Sequence, residues 1–226
     1  MATTVMARCG VIVALFFACV PSARAADSFS ASIKAGEKLQ ADGALPGAIE
    51  EFRAAEKQAA NDTERAIALA KQGYVLADGR QDYAAARKVA EQALELGDVR
   101  AVGKVMALQV LGKCQMKSDK DFKAAAETLE KAHALEGVEW AQPGVMMSLG
   151  DCYRFTGRFD EANALFTELL ETSGVPGDMK AVAHLNMALT YQYGLKQPAD
   201  ARRHYEEAVK LNPKLKGEVD GHLSKL

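Results

Sequence analysis

The sequence predicts an all-α fold: a solenoid of about five helix-turn-helix units with a further helix capping its C-terminal end. Two registered series of small residues and the composition carry this prediction. Gly36, Gly73, Gly112 and Gly150 fall inside helical patterns, and Ala188 continues them at gaps of 37, 39, 38 and 38 residues. Ala48, Ala86, Ala125, Ala162 and Ala201 form a second series with gaps of 38, 39, 37 and 39. Self-similarity at a period of this length is the signature of stacked helical repeats. Hydrophobic residues make up 49% of the 226-residue chain, Ala and Leu supply much of that share, and Pro occurs only 6 times. That composition favours helices over sheets.

Within each unit the glycine series marks the first helix and the alanine series the second. Four residues after each alanine stands Phe52, Ala90, Leu129, Phe166 or Tyr205, and seven after it Ala55, Ala93, Ala132, Leu169 or Ala208. Offsets of 0, 4 and 7 place these side chains on one helical face. A mid-helix glycine costs about 1 kcal/mol relative to alanine. Four in register therefore imply close approach of the paired helix, where no side chain fits. Gly43, Gly79, Gly157 and Gly194 are expected to mark four of the turns, and the third unit turns through Lys117-Ser118-Asp119-Lys120. The units are expected at about 29–62, 63–98, 99–138, 141–175 and 178–213, within a single domain spanning 26–226. The cap is expected over 214–226, where Leu215, Val219, Leu223 and Leu226 recur at helical spacing.

The first 25 residues have the composition of a targeting leader: Arg8, an apolar run from Gly10 to Val20, a break at Pro21-Ser22, and Ala23-Arg24-Ala25 as a cleavage site. The expected localisation is therefore exported, periplasmic or secreted. A lipid anchor at Cys19 and a mitochondrial presequence are the alternatives. Beyond Ala25 the chain holds 26 basic and 30 acidic residues, interspersed and without a basic block. This argues against nucleic acid as a partner. Of the cysteines beyond the leader, Cys114 and Cys152 occupy equivalent points of neighbouring units and are expected to stay unpaired, because packed helices lie farther apart than a disulfide spans. Asn61-Asp62-Thr63 is a formal glycosylation sequon.

Residues that carry chemistry are sparse. His133, His184, His204 and His222 show no metal-ligand spacing within one helix, and His184 reads as a core or edge residue. There is no phosphate loop and no nucleophile elbow. No catalytic residue, metal ligand or cofactor is assigned, and the chain is expected not to be an enzyme.

The repeat pattern resembles the tetratricopeptide repeat family. The fourth unit carries the resemblance best, with Leu149, Gly150, Tyr153, Gly157, Phe159, Ala162 and Phe166. The fifth has Tyr191, Gly194, Ala201, Tyr205, Ala208 and the terminating Pro213. The third departs from the pattern, with Gln115 in place of the family's Tyr. The period near 38 exceeds the family's usual length of about 34; the surplus falls in Gly137 to Pro143, in Gly174 to Asp178 and in some turns. The resemblance implies a right-handed superhelix whose first helices line a concave face that binds a peptide or protein. The positions expected to face that groove are Glu37, Asp78, Gln109, Met147, Asp151, Asn186, Leu189 and Gln192, together with the candidate ligand residues Tyr74, Lys113, Lys117, Arg154, Phe155 and Tyr193. Lys113, Lys117 and Arg154 are expected to form a basic spot suited to an acidic peptide. The resulting expectation is a protein-interaction scaffold or adaptor. Its alternatives are an accessory factor holding a small ligand for an enzyme complex and a self-associating component of the cell envelope.

Overall fold

The computed structural model describes residues 22–226, with side chains from Ser28 onward. Residues 1–21, which hold the apolar run and Cys19 of the expected leader, lie outside the described residues. The described chain is a succession of α-helices: α1 (Ser22–Ala41), α2 (Leu45–Gln58), α3 (Asp62–Tyr74), α4 (Tyr83–Glu95), α5 (Ala101–Cys114), α6 (Phe122–His133), α7 (Gln142–Phe155), α8 (Phe159–Glu171), α9 (Gly177–Leu189), α10 (Pro198–Leu211) and α11 (Lys216–Leu223). Each helix packs on the next, and α3 also packs on α5, the first helix of the following pair. Five helix pairs thus stack into a right-handed superhelix. No helix among the described residues is long and apolar enough to cross a membrane.

The registered residues hold the stack together. All five alanines of the second-helix series are buried, as are the residues four and seven places after them. The glycines explain why the paired helices come so close. A Cβ on Gly36 would lie 2.5 Å from Cε1 of Phe52, one on Gly150 would lie 2.5 Å from Cε1 of Phe166, and one on Gly112 would lie 2.9 Å from Cγ of Leu129. In each case the bulky residue is the one four places after the alanine of the same pair. The second pair differs because that position is Ala90. There Gly73 receives Val110 of the next pair instead, at 2.8 Å from the would-be Cβ.

Two kinds of turn join the helices of a pair. In the first and fourth pairs the interval from the glycine to the alanine is 12 residues, and in the second, third and fifth the equivalent interval is 13. The shorter turns are Schellman closures. Gly43 and Gly157 take positive φ, at 76° and 81°. The N–H groups of Ala44 and Arg158 then donate to the carbonyls of Leu39 and Tyr153, both at 2.8 Å. This bond satisfies a carbonyl that the helix end leaves open.

The longer turns widen into π-helical segments over Val75–Gly79, Gln115–Asp119 and Thr190–Leu195. One extra residue is absorbed and the closing bond is kept, from Asp82, Asp121 and Gln197 to the carbonyls of Leu76, Gln115 and Tyr191 at 2.9, 3.0 and 2.9 Å. Gly79 and Gly194 lie in these turns, as expected, but neither takes the left-handed position. Gln81, Lys120 and Lys196 do so instead. The two glycines serve close approach: their Cβ atoms would collide with Leu45 and Phe159, the first residues of α2 and α8.

Helix starts follow capping rules. Asp82 and Asp121 accept from the N–H groups of Ala85 and Ala124. Asn61 accepts from Glu64 N–H at 2.9 Å, and the Glu64 carboxylate accepts from Ala60 N–H at 2.8 Å. This reciprocal cap accounts for the Asn61 sequon as a helix start. At the C-terminal end α11 covers the fifth pair through the buried Val219, with Leu215 and Leu223 packed beside it. Leu226, expected on that face, is exposed.

Cys114 and Cys152 are both buried free thiols.

Candidate functional site: the concave face

The first helices place equivalent residues side by side, so polar side chains link neighbouring pairs about one repeat apart. Lys71 on α3 reaches Glu37 on α1 at 2.5 Å. Tyr74 donates its hydroxyl to Gln109 Oε1 at 2.6 Å. Lys113 reaches both carboxylate oxygens of Asp78 at 2.7 Å, and its ammonium lies 5.9 Å from the centre of the Tyr74 ring. Asn186 on α9 contacts Met147 Sδ on α7 at 3.5 Å. These links tie the spacing of successive pairs and hold the face in a defined shape.

The six candidate ligand residues fall in four places. Tyr74 and Lys113 stand together with Asp78. Arg154 pairs with Asp151 at 3.2 Å, and its guanidinium lies 4.2 Å over the Phe155 ring. Phe155, 55% exposed, stacks on Phe122 at the start of α6 with ring centres 4.3 Å apart. Lys117 is exposed in the π-helical turn after α5. Tyr193 stands apart, its hydroxyl 3.1 Å from Nδ1 of His222 in the cap.

The expected basic spot is an ionic band with acids interleaved. Lys113 is matched by Asp78, and Arg154 by Asp151. Burial raises the Asp151 carboxyl above the usual carboxylate range, while Arg154 and Lys117 pull it back. Arg154 Nε is buried with no hydrogen-bond partner among the described residues. Two of the expected groove positions turn inward. Gln192 is buried, accepts from the Tyr205 hydroxyl at 2.6 Å and donates to His222 O at 3.2 Å, so it clamps the cap. Asn186 is buried as well.

Two features escaped sequence reasoning. His184 and His204 lie 20 positions apart on different helices, yet their Nδ1 atoms meet at 2.9 Å. No group of three or more His, Cys, Asp or Glu among the described residues is placed to hold a metal ion. The second feature is an apolar rim at the start of α7 and α9, where Trp140 is 62% and Val182 37% exposed.

Residues 144–214 match the tetratricopeptide repeat family model. That stretch, the fourth and fifth helix pairs, carries the tetratricopeptide repeat pattern. No curated protein sequence matches the chain. Among solved structures it is similar to YrrB, described as a TPR protein with an unusual peptide-binding site. The identity is 24% and the TM-score 0.61, over 86% of this chain and 91% of that one. It is also similar to a MamA fragment from Desulfovibrio magneticus RS-1, at 18% identity and a TM-score of 0.61 over 83% and 97% of the two chains. A third similar structure is TTC0263, a thermophilic TPR protein of Thermus thermophilus, at 16% identity and a TM-score of 0.60 over 87% and 97%. At these identities the likeness concerns the fold alone.

Proposed function

We propose that the chain is a non-enzymatic scaffold or adaptor that binds a protein or peptide segment in its concave face, within an exported compartment. The observation that carries this reading is the cross-repeat ladder Glu37–Lys71, Tyr74–Gln109 and Asp78–Lys113. It pre-organises an extended surface before any partner arrives, and pre-organisation lowers the entropic cost of binding. Arg154 and Phe155 supply residue types common at interface anchors, and the Phe155 ring is exposed. Residues 1–25 support export by composition alone.

The test is affinity capture with the intact chain against variants Lys113→Glu and Arg154→Glu, followed by reconstitution with the captured protein. A defined partner bound directly by the wild type and lost in the variants supports the reading. Capture that is equal in wild type and variants, or no partner at all, overturns it. Fractionation of the native host reads the compartment separately.

A further inference from the structure

The two lengthened connections of the solenoid meet on one rim. The connection from α6 to α7 turns at Gly137, with φ 72°, and passes through a 3-10 turn over Glu139–Ala141. The connection from α8 to α9 turns at Gly174, with φ 77°. Each is pinned from beneath. Val138 and Ala141 are buried in the first, Val175 is buried in the second, and Gln109 Nε2 reaches Ala141 O at 3.5 Å. Trp140 therefore projects from an anchored turn, and its exposure is imposed by the buried residues on either side.

Trp140 and Pro143 line a cleft of about 860 Å³ that runs to Pro176 and Met179. A second cleft of about 420 Å³ shares Pro176 and Met179 and adds Met147, Asp178 and Val182. Together they form a ledge continuous with the groove through Gln109 and Met147. Large exposed side chains grouped in this way mark interaction sites, and Met-rich surfaces adapt to varied apolar partners. The ledge also has a charge sign. Glu139 and Asp178 line it, and no Lys or Arg lines either cleft. Lys180, the basic residue next along α9, donates to Leu170 O at 3.0 Å, back toward α8.

We infer that this ledge docks a protein segment bearing apolar side chains flanked by Lys or Arg. The inference rests on the groove-binding reading and adds the chemistry of the partner to it. The apolar side chains would cover Trp140, Met147, Met179 and Val182, and the basic residues would face Glu139 and Asp178. Electrostatic complementarity selects this occupant over others. A second copy would bring an equally acidic rim, and an anionic membrane would meet two carboxylates.

The chain holds a single tryptophan, so its emission reports on this ledge alone. The full chain is titrated with three synthetic peptides of equal length, built from Leu and Lys, Leu and Glu, or Ser and Lys. The Leu/Lys peptide is expected to shift Trp140 emission to the blue. The double variant Glu139→Lys, Asp178→Lys is expected to bind it roughly tenfold more weakly, about the weight of one good anchor. Both positions are exposed, and circular dichroism confirms that the variant remains helical. The inference is overturned by any one of four results: no shift with Leu/Lys, an equal response to Leu/Glu or Ser/Lys, the same shift on concentrating the protein alone, or the same shift with anionic phosphatidylglycerol vesicles. Variants Lys113→Glu and Arg154→Glu separate the two readings. They leave the Leu/Lys response intact if the ledge acts as stated, whatever they do to partner capture in the ionic band.

Discussion

The Phe166 ring fills the space that any side chain at Gly150 would need. Its Cε1 lies 2.5 Å from the position of a Cβ, and the ring itself is fully buried. A methyl group there cannot be absorbed by a flexible side-chain end, so the ring or the helix must move. Gly150→Ala should destabilise by roughly 1–3 kcal/mol, the usual range for overpacking, despite alanine's better helix propensity. Gly217→Ala in α11 is the control, since nothing lies within 4 Å of its Cβ position. It should be neutral or stabilising by up to about 1 kcal/mol. Urea midpoints at constant slope read both changes.

The wide turns carry conformational strain that the narrow ones avoid. Lys120 and Lys196 adopt φ of 56° and 58°, where Gly157 in a narrow turn adopts 81°. An L side chain in the left-handed region costs about 1 kcal/mol. Lys120→Gly should therefore raise stability by up to about 1 kcal/mol, while Gly157→Ala should lower it by a similar amount. Thermal melts of the two variants should shift in opposite directions.

The two turn types also show what could be read in advance. The register was legible because it is a statement about burial, and the Ala48, Ala86, Ala125, Ala162 and Ala201 series is buried throughout. Spacing revealed an extra residue in some turns. It did not reveal that the residue widens the helix end into a π turn and passes the left-handed position from glycine to Gln81, Lys120 and Lys196. The ionic band was half legible. Lys113 stands out on its own helix, but its partner Asp78 lies 35 positions away, and only the superhelical offset brings them together. Trp140 was missed because it sits in a connection, where periodicity says nothing. The available signal was a lone tryptophan inside a surplus segment.

Cys114 and Cys152 should behave as inert core residues. Both are fully buried, and burial pushes the thiols up to about 11 and about 12. The thiolate is the reactive form, so neither combines access with ionisation. In the folded chain a disulfide-exchange reagent should leave both unmodified at neutral pH over the time in which a free thiol reacts fully. In denaturant both should react at the rate of unstructured cysteine. Rapid labelling of the native chain would contradict this burial.

The His184–His204 pair should make the fifth repeat sensitive to acid. Two imidazoles with Nδ1 atoms 2.9 Å apart can share one proton but cannot both be charged without strong repulsion. His204 also stacks on Tyr191 and is buried. Burial first, then His184 and Arg203, lower His204 to about 4, against opposing pulls from Asp200 and Glu207. His184 is lowered as well, by burial and by Arg203 and Lys180, against Glu207. Between about 4 and the ordinary histidine value of about 6.5, the unfolded chain binds more protons than the folded one at these positions. Stability contributed by the pair is therefore complete above that ordinary value, falls as pH drops, and levels off below the folded value. The loss should reach roughly 1–3 kcal/mol for the pair. His204→Gln keeps a polar partner for His184 and removes the main titrating group. Its stability should be lower at neutral pH but flatter across this window. Hydrogen exchange should place the acid-induced opening of the wild type in α9 and α10, ahead of α3 and α4; a uniform loss along the stack would assign the acid sensitivity to other groups.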